Sequence, residues 1–277
     1  MNLDYIKQET DAEYHARSKS GEVLSSHMLS TFRWSPYKYR LKIDGKLEEP
    51  DSPAFAFGRA VHCCTLEGQD VFQRRYTVAD GPVNPKTGAP YLPTSKAYLD
   101  WRAEQTGEVI STAEADIAGQ MAFAVKNHPV AGYLLKGLDA GEYIPEAVVR
   151  TEYAGALCQI KMDAFRPEPF AIVDLKTCSD LAGFYYDISR PGYDYVFQAA
   201  FYRAVLRKVS GHTAHFYFVA VEKKFPYLVG VWHMSPDVLD QAQSDNEKRI
   251  AALLDCRASD VWPTGYEEIR EYDKLLN

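Results

Sequence analysis

Two short apolar runs, Gln159-Ile-Lys-Met-Asp163 and Ile172-Val-Asp174-Leu-Lys176-Thr177, each carry an aspartate. Both runs are expected as strands of a buried sheet. A carboxylate there is costly unless it is paired or bound to metal. Strand alternation puts Asp174 and Lys176 on one face and Val173 and Leu175 on the other. Lys161 and Asp163 share a face opposite Ile160 and Met162. Two carboxylates and an ammonium converging on a sheet face are the parts of a Mg²⁺-dependent phosphodiester-cleaving site. Singly, each part has a plainer reading: Asp163 as a partner of Lys161 or an arginine, and D-x-K as a chance pattern.

The chain has 277 residues, 46% hydrophobic and 25% charged, the composition of an ordinary globular protein. No signal peptide and no transmembrane-length run is found, so a cytoplasmic protein with no membrane association is expected. Five cysteines without C-x-x-C spacing are expected as reduced, mostly buried thiols. The net charge of −7 argues against a generally basic nucleic-acid binder, though not against an enzyme that confines its positive charge to a channel.

Residues 1–24 read as a polar N-terminal segment, loosely ordered at its start, ahead of a single domain over 25–277. Helices are expected after Ser25 or Ser26, after Ser35-Pro36, after Ser52-Pro53 through Gly58, His62 and Leu66, from about Ser95, and from Ser111, where Glu114 completes a capping box. The stretch 81–90 is a loop. Strands follow at Glu146–Tyr153, Ala156–Phe165 and Phe170–Lys176, with turns at Ala154-Gly155 and Arg166–Pro169. Helical spacing returns over Ser179–Ile188 and Tyr195–Lys208. A hairpin of His215–Glu222 and Tyr227–His233 and a helix capped by Ser235-Pro236 complete an α/β sheet flanked by helices, with an N-terminal helical elaboration.

Gln198 and Tyr202 share a helix face, as do Gly58 and His62. Gly58 would let its helix approach a backbone or ligand closely. Glu146 is a further candidate acid and Glu67 a weaker one. The helix start after Ser35, with Arg33 nearby, is a candidate pocket for a terminal 5′-phosphate. Lys161, Arg150 and Arg59 are candidate phosphate contacts along a channel.

The order G-x-x-x-H (Gly58, His62), a strand ending in Asp163, D-x-K (Asp174, Lys176) and Q-x-x-x-Y (Gln198, Tyr202) resembles the RecB-like branch of the PD-(D/E)XK nucleases, and within it the RecE (exonuclease VIII) type of catalytic domain. The resemblance spans roughly residues 25–265. It implies a nuclease core with a central mixed sheet, and His62, Asp163, Asp174 and the Leu175 backbone carbonyl as ligands of Mg²⁺, with Mn²⁺ a plausible substitute and Glu146 a weaker ligand. It implies that Lys176 orients water or stabilises developing charge, a direct general-base role remaining open. Gln198 and Tyr202 would support the site and contact the nucleic-acid backbone. It further implies a 5′→3′ exodeoxyribonuclease acting on double-stranded DNA ends, a ring-shaped homo-oligomer, and a RecT-type single-strand annealing partner in phage or prophage recombination. An endonuclease of the same fold and a catalytically silent DNA-binding module are the alternatives.

Overall fold

A computed structural model describes residues 3–47, 53–136 and 143–271 of the chain. Its N-terminal part is helical: α1 (Asp11–Lys19), α2 (Ser26–Trp34), α3 (Pro36–Ile43) and α4 (Pro53–His62). The expected start signals operate. Ser25 caps α2, and Ser35 caps α3 with Pro36 at its first position. Ser52 lies outside the described residues. The helix expected to run through Leu66 continues past His62 only as a π-helical turn, Cys63–Glu67.

Next come α5 (Gln69–Arg75), β1 (Tyr76–Val78), α6 (Lys96–Ala103), β2 (Glu108–Ile110), α7 (Thr112–Asn127) and α8 (Pro129–Leu134). The capping box of Ser111 and Glu114 opens α7, and His128 Nδ1 accepts from the first amides of α8. β1 and β2 form a small parallel pair that the sequence reading does not contain.

Among the described residues the polar arm carries regular structure: Thr10 and Glu13 form a capping box for α1, and Tyr14 is buried. The Lys7 amide donates to the Val148 carbonyl at 2.8 Å, and Glu9 forms an ion pair with Arg150 at 2.8 Å. Backbone and ionic contacts dock this arm on the sheet together with apolar packing of Leu3, Tyr5, Ile6 and Leu24.

The central sheet follows as β3 (Ile144–Tyr153), β4 (Ala156–Arg166) and β5 (Ala171–Cys178), then α9 (Leu181–Asp187), α10 (Tyr195–Ser210), β6 (His215–Glu222), β7 (Val229–His233) and α11 (Pro236–Ser259). Strand order is β3-β4-β5-β6-β7, with only β5 and β6 parallel. The expected meander and hairpin are both present. Ala154 (φ 50°) and Gly155 (φ 82°) turn β3 into β4, the left-handed pair that a two-residue hairpin needs. Ser235 makes no capping bond to α11, contrary to expectation.

Helices cover both faces. Ile160, Met162, Ile172, Phe216 and Phe218 pack with α10 and α11, while Val173, Leu175, Val219 and Val221 pack with α4 and α7. Among the described residues no helix is long and apolar enough to cross a membrane.

One irregularity positions the site. Met162 and Phe165 both face the α10 layer, whereas Ala164 faces the α4 layer. Strict alternation forbids this, so β4 changes face at Asp163. The β4–β5 ladder runs from Arg166↔Ala171 to Ala164↔Val173 and stops, one step before Asp163 would meet Asp174. On its other edge β5 stays paired with β6 from Ala171 to Cys178.

Candidate active site

The gap where β4 and β5 part is lined by chemistry rather than by ladder bonds. Asp163 Oδ2 accepts the Leu175 amide at 2.8 Å, taking the place of a strand carbonyl. His62, the last residue of α4, brings Nδ1 to 3.5 Å from the same oxygen. Lys176 Nζ lies 2.5 Å from Asp174 Oδ1. That contact is ionic rather than directional, since Oδ1 finds no aligned hydrogen-bond donor. The Tyr195 ring centroid is 5.0 Å from the same ammonium. Glu146, at φ 53° in β3, places Oε2 2.6 Å from Lys161 Nζ.

Burial sets the electrostatics. It pushes the Glu146 carboxyl up to about 7, helped by the neighbouring Asp163 charge and opposed by Lys161. Asp174, only 1% exposed, is pushed up to about 6 by burial although Lys176 pulls the other way. Asp163 is raised by burial, against the pull of Lys176 and the Leu175 amide. Burial and then Lys176 hold His62 below its ordinary value, so it is neutral at pH 7. Burial disfavours the charge on Lys176, but Asp174 and Asp163 outweigh it and hold the ammonium above its ordinary value.

Gln198 and Tyr202 sit one turn apart on α10, as their spacing predicts. Tyr202 is 6% exposed and packs in the buried layer between α10 and the sheet. The expected contact of Tyr202 with a nucleic-acid backbone does not fit this burial. Tyr195 is a site residue that the sequence reading misses. The signal was present, because Tyr195, Gln198 and Tyr202 recur at i, i+3 and i+7 on one helix face.

The expected phosphate-binding cations are placed differently from the expectation. Lys161 is committed to Glu146 and Asp11. Arg150 is held by Glu9 and Gln159, and Arg59 donates to Glu108 at 3.0 Å. Arg33 lies over the Phe197 ring and donates to Asn246 at 2.9 Å. The N-terminus of α3 is covered, with Ser35 buried and the Tyr37 amide donating to the Pro263 carbonyl at 3.1 Å. That covering leaves no open anion pocket at Ser35. Glu67 pairs with Arg75 at 2.6 Å. A Cβ at Gly58 would meet Thr177 Oγ1 at 3.9 Å, an ordinary contact, so close packing on the described residues does not require glycine there.

The donor set suits a hard divalent cation: carboxylate oxygens, a carbonyl at Leu175 close enough to His62 to favour its protonated form, and one neutral imidazole. Burial and mutual repulsion disfavour the charge on these carboxylates, a cost that a cation offsets. Among the described residues no three His, Cys, Asp or Glu side chains already converge on one coordination point. Asp163 is taken up by the Leu175 amide and Asp174 by Lys176.

A five-stranded mixed sheet between helical layers, with paired aspartates and a lysine where its ladder opens, defines an α/β domain of the PD-(D/E)XK type. The chain belongs to the family described as "PDDEXK-like domain of unknown function (DUF3799)", whose model matches residues 25–274. A crystal structure of a protein from Eubacterium rectale, named "Putative exonuclease", shares the fold with a TM-score of 0.66 and 18% identity, over 98% of this chain and 97% of that one. A search of curated protein sequences finds no match. These likenesses establish the PDDEXK-like family and do not single out its RecE-type members.

Proposed function

We propose that this protein is a metal-dependent deoxyribonuclease that digests linear double-stranded DNA from its 5′ ends. The observation that carries the reading is the opened β4–β5 ladder, where two repelling carboxylates, Asp163 and Asp174, meet Lys176 and His62 in a buried cluster. Ionisable groups gathered in one desolvated gap are costly to the fold and mark a functional site. Asp163, Asp174 and the Leu175 carbonyl would hold Mg²⁺ or Mn²⁺, flanked by His62 and Glu146. The ion, when bound, neutralises phosphate charge and makes a bound water more nucleophilic.

The side chains supply the rest. Lys176, charged and backed by the Tyr195 ring, offers a fixed positive charge to the scissile phosphate and its developing negative charge. Asp163 holds the Leu175 amide and so steadies the backbone of the residue whose carbonyl would be the ligand. Tyr202, buried in the layer between α10 and the sheet, would support the site from within, with Gln198 one turn away on the same helix.

End-dependent cleavage is favoured over nicking by the name of the Eubacterium rectale neighbour. The 5′→3′ direction, the ring-shaped homo-oligomer and a RecT-type annealing partner rest on the RecE resemblance. The test uses a linear duplex labelled at each 5′ end beside a covalently closed circle, in Mg²⁺ and in EDTA. Mg²⁺-dependent release of 5′ nucleotides from the linear form, with the circle intact, is the expected result. Nicking of the circle replaces exonuclease by endonuclease, and an absence of cutting in Mg²⁺ and Mn²⁺ leaves a binding module.

A further inference from the structure

Lys176 does not stand alone at the surface of the site. Tyr195 covers it, and Tyr193 packs edge-on against Tyr195 with centroids 5.4 Å apart. Tyr193 is 48% exposed, so the two rings form a short wall leading from the buried ammonium to solvent. The wall is rigid. The Tyr193 amide donates to the Arg190 carbonyl at 3.1 Å, and Asp194, in the left-handed region at φ 55°, is clamped by Ser30 at 2.5 Å and Trp34 at 3.1 Å. A ring presented on a fixed turn loses little entropy when something stacks on it.

The surrounding charges say what kind of contact the wall makes. Several cations near the site are already paired: Lys161 with Asp11 and Glu146, Arg150 with Glu9, Arg59 with Glu108, and Arg190 with Asp187 at 3.2 Å. Lys176 is reserved for the scissile phosphate, so the wall beyond it makes a different kind of contact. A flat apolar face of the substrate is what this entrance can still bind. In a nucleic acid that face is a base, and it is available only when the nucleotide is unpaired.

We infer that Tyr193, with Tyr195 behind it, stacks the base of an unpaired nucleotide beside the scissile phosphate, so that the strand being cut enters the site separated from its complement. The inference rests on the nuclease reading of the site. Tyr193 is a binding residue for the base, and Tyr195 serves both the wall and Lys176.

The experiment compares wild type, Tyr193→Ala and Tyr193→Phe on a short single-stranded oligonucleotide and on the same oligonucleotide made abasic at its two terminal nucleotides. KM and kcat are measured in Mg²⁺, and binding of each oligonucleotide in EDTA is read by fluorescence anisotropy. Loss of one stacked base is expected to raise KM and weaken binding about tenfold in Tyr193→Ala, within the range of stacking contributions. Tyr193→Phe should restore both, and wild type on abasic DNA should behave like Tyr193→Ala on normal DNA. Equal KM and affinity in wild type and Tyr193→Ala, with normal cleavage by both, overturns the stacking wall alone. A tenfold binding loss in Tyr193→Ala, with no cleavage by any protein, supports the wall and overturns the nuclease reading.

Discussion

In EDTA at pH 8, Asp174→Asn is expected to make the protein more stable while abolishing its activity. Asp174 is buried, and its carboxyl is moved from an ordinary 3.8 to about 6, chiefly by burial and against the help of Lys176. A folded-state value raised above the unfolded one means stability that is present below about pH 4 and lost as pH rises through about 6. At about 1.4 kcal/mol per pH unit, the ionised carboxylate costs the metal-free protein about 3 kcal/mol at pH 8. Asparagine has nearly the same shape and no charge to desolvate, so it avoids that cost, while Asp163 remains beside Lys176 to offset its charge. For a chain of this size the gain corresponds to a rise in Tm of about 6–12 °C. The gap should shrink to about half by pH 5, where part of the wild-type population is protonated. Calorimetry of both proteins at pH 5 and pH 8 in EDTA, beside the linear-duplex assay in Mg²⁺, reads the three expectations together. A Tm for Asp174→Asn at or below wild type at pH 8 would refute the claim that this carboxylate is held at a cost to the fold.

Excess Mn²⁺ or Mg²⁺ at a hundred times its Kd should stabilise wild type at pH 8 by about 2.7 kcal/mol, whereas Asp174→Asn should show little response; equal Tm shifts in the two proteins would place the ion elsewhere. Lys176→Met should lower kcat by about 10²–10³ with the circular dichroism spectrum unchanged, the loss typical of removing a fixed electrostatic stabiliser, and near-wild-type turnover would remove Lys176 from the mechanism. Arg150→Ala should cost about 3 kcal/mol in urea unfolding, because it leaves the 12%-exposed Glu9 carboxylate with only the looser contact to Arg17 at 3.9 Å. Arg150 holds Glu9 below its ordinary value of 4.5, so the stability gap between the two proteins should close as pH falls through and below 4. A gap under about 0.5 kcal/mol at pH 7 would show that this pair does not secure the N-terminal arm.

The strands were legible because burial leaves a direct mark on sequence: Ile160, Met162, Ile172 and Val173 are apolar where the sheet is covered. Several helix starts were legible too, since Ser25, Ser35, Ser95 and Ser111 cap them by local hydrogen bonds that depend on nothing distant. Asp174 and Lys176 stood out as charges inside an apolar run. The change of face at Asp163 did not, because it depends on how β4 parts from β5. The pairing of cations was equally hidden: the sequence shows Lys161 and Arg150 but not that Asp11 and Glu9 fold back from the N-terminal arm to meet them. That arm read only as a polar segment because α1 buries little besides Tyr14 and Ser18, and its contacts with the sheet are long-range. The three-residue strands β1 and β2 are too short to show any period.

The one-sided opening of the ladder gives the site two unlike jaws. β5, bonded along its whole length to β6, is the fixed jaw and carries Asp174 and Lys176. The β3–β4 ribbon is the hinged jaw and carries Glu146 and Asp163; among the described residues its backbone pairing with β5 is the three pairs ending at Ala164, with the reach of Asp163 to the Leu175 amide beside them. The N-terminal arm braces that ribbon from outside through Lys7 and Glu9. The spacing between the acids on the two jaws is therefore set by a hinge angle rather than by rotamers alone. Ligand distances can be trimmed by changes in the brace, well away from the chemistry.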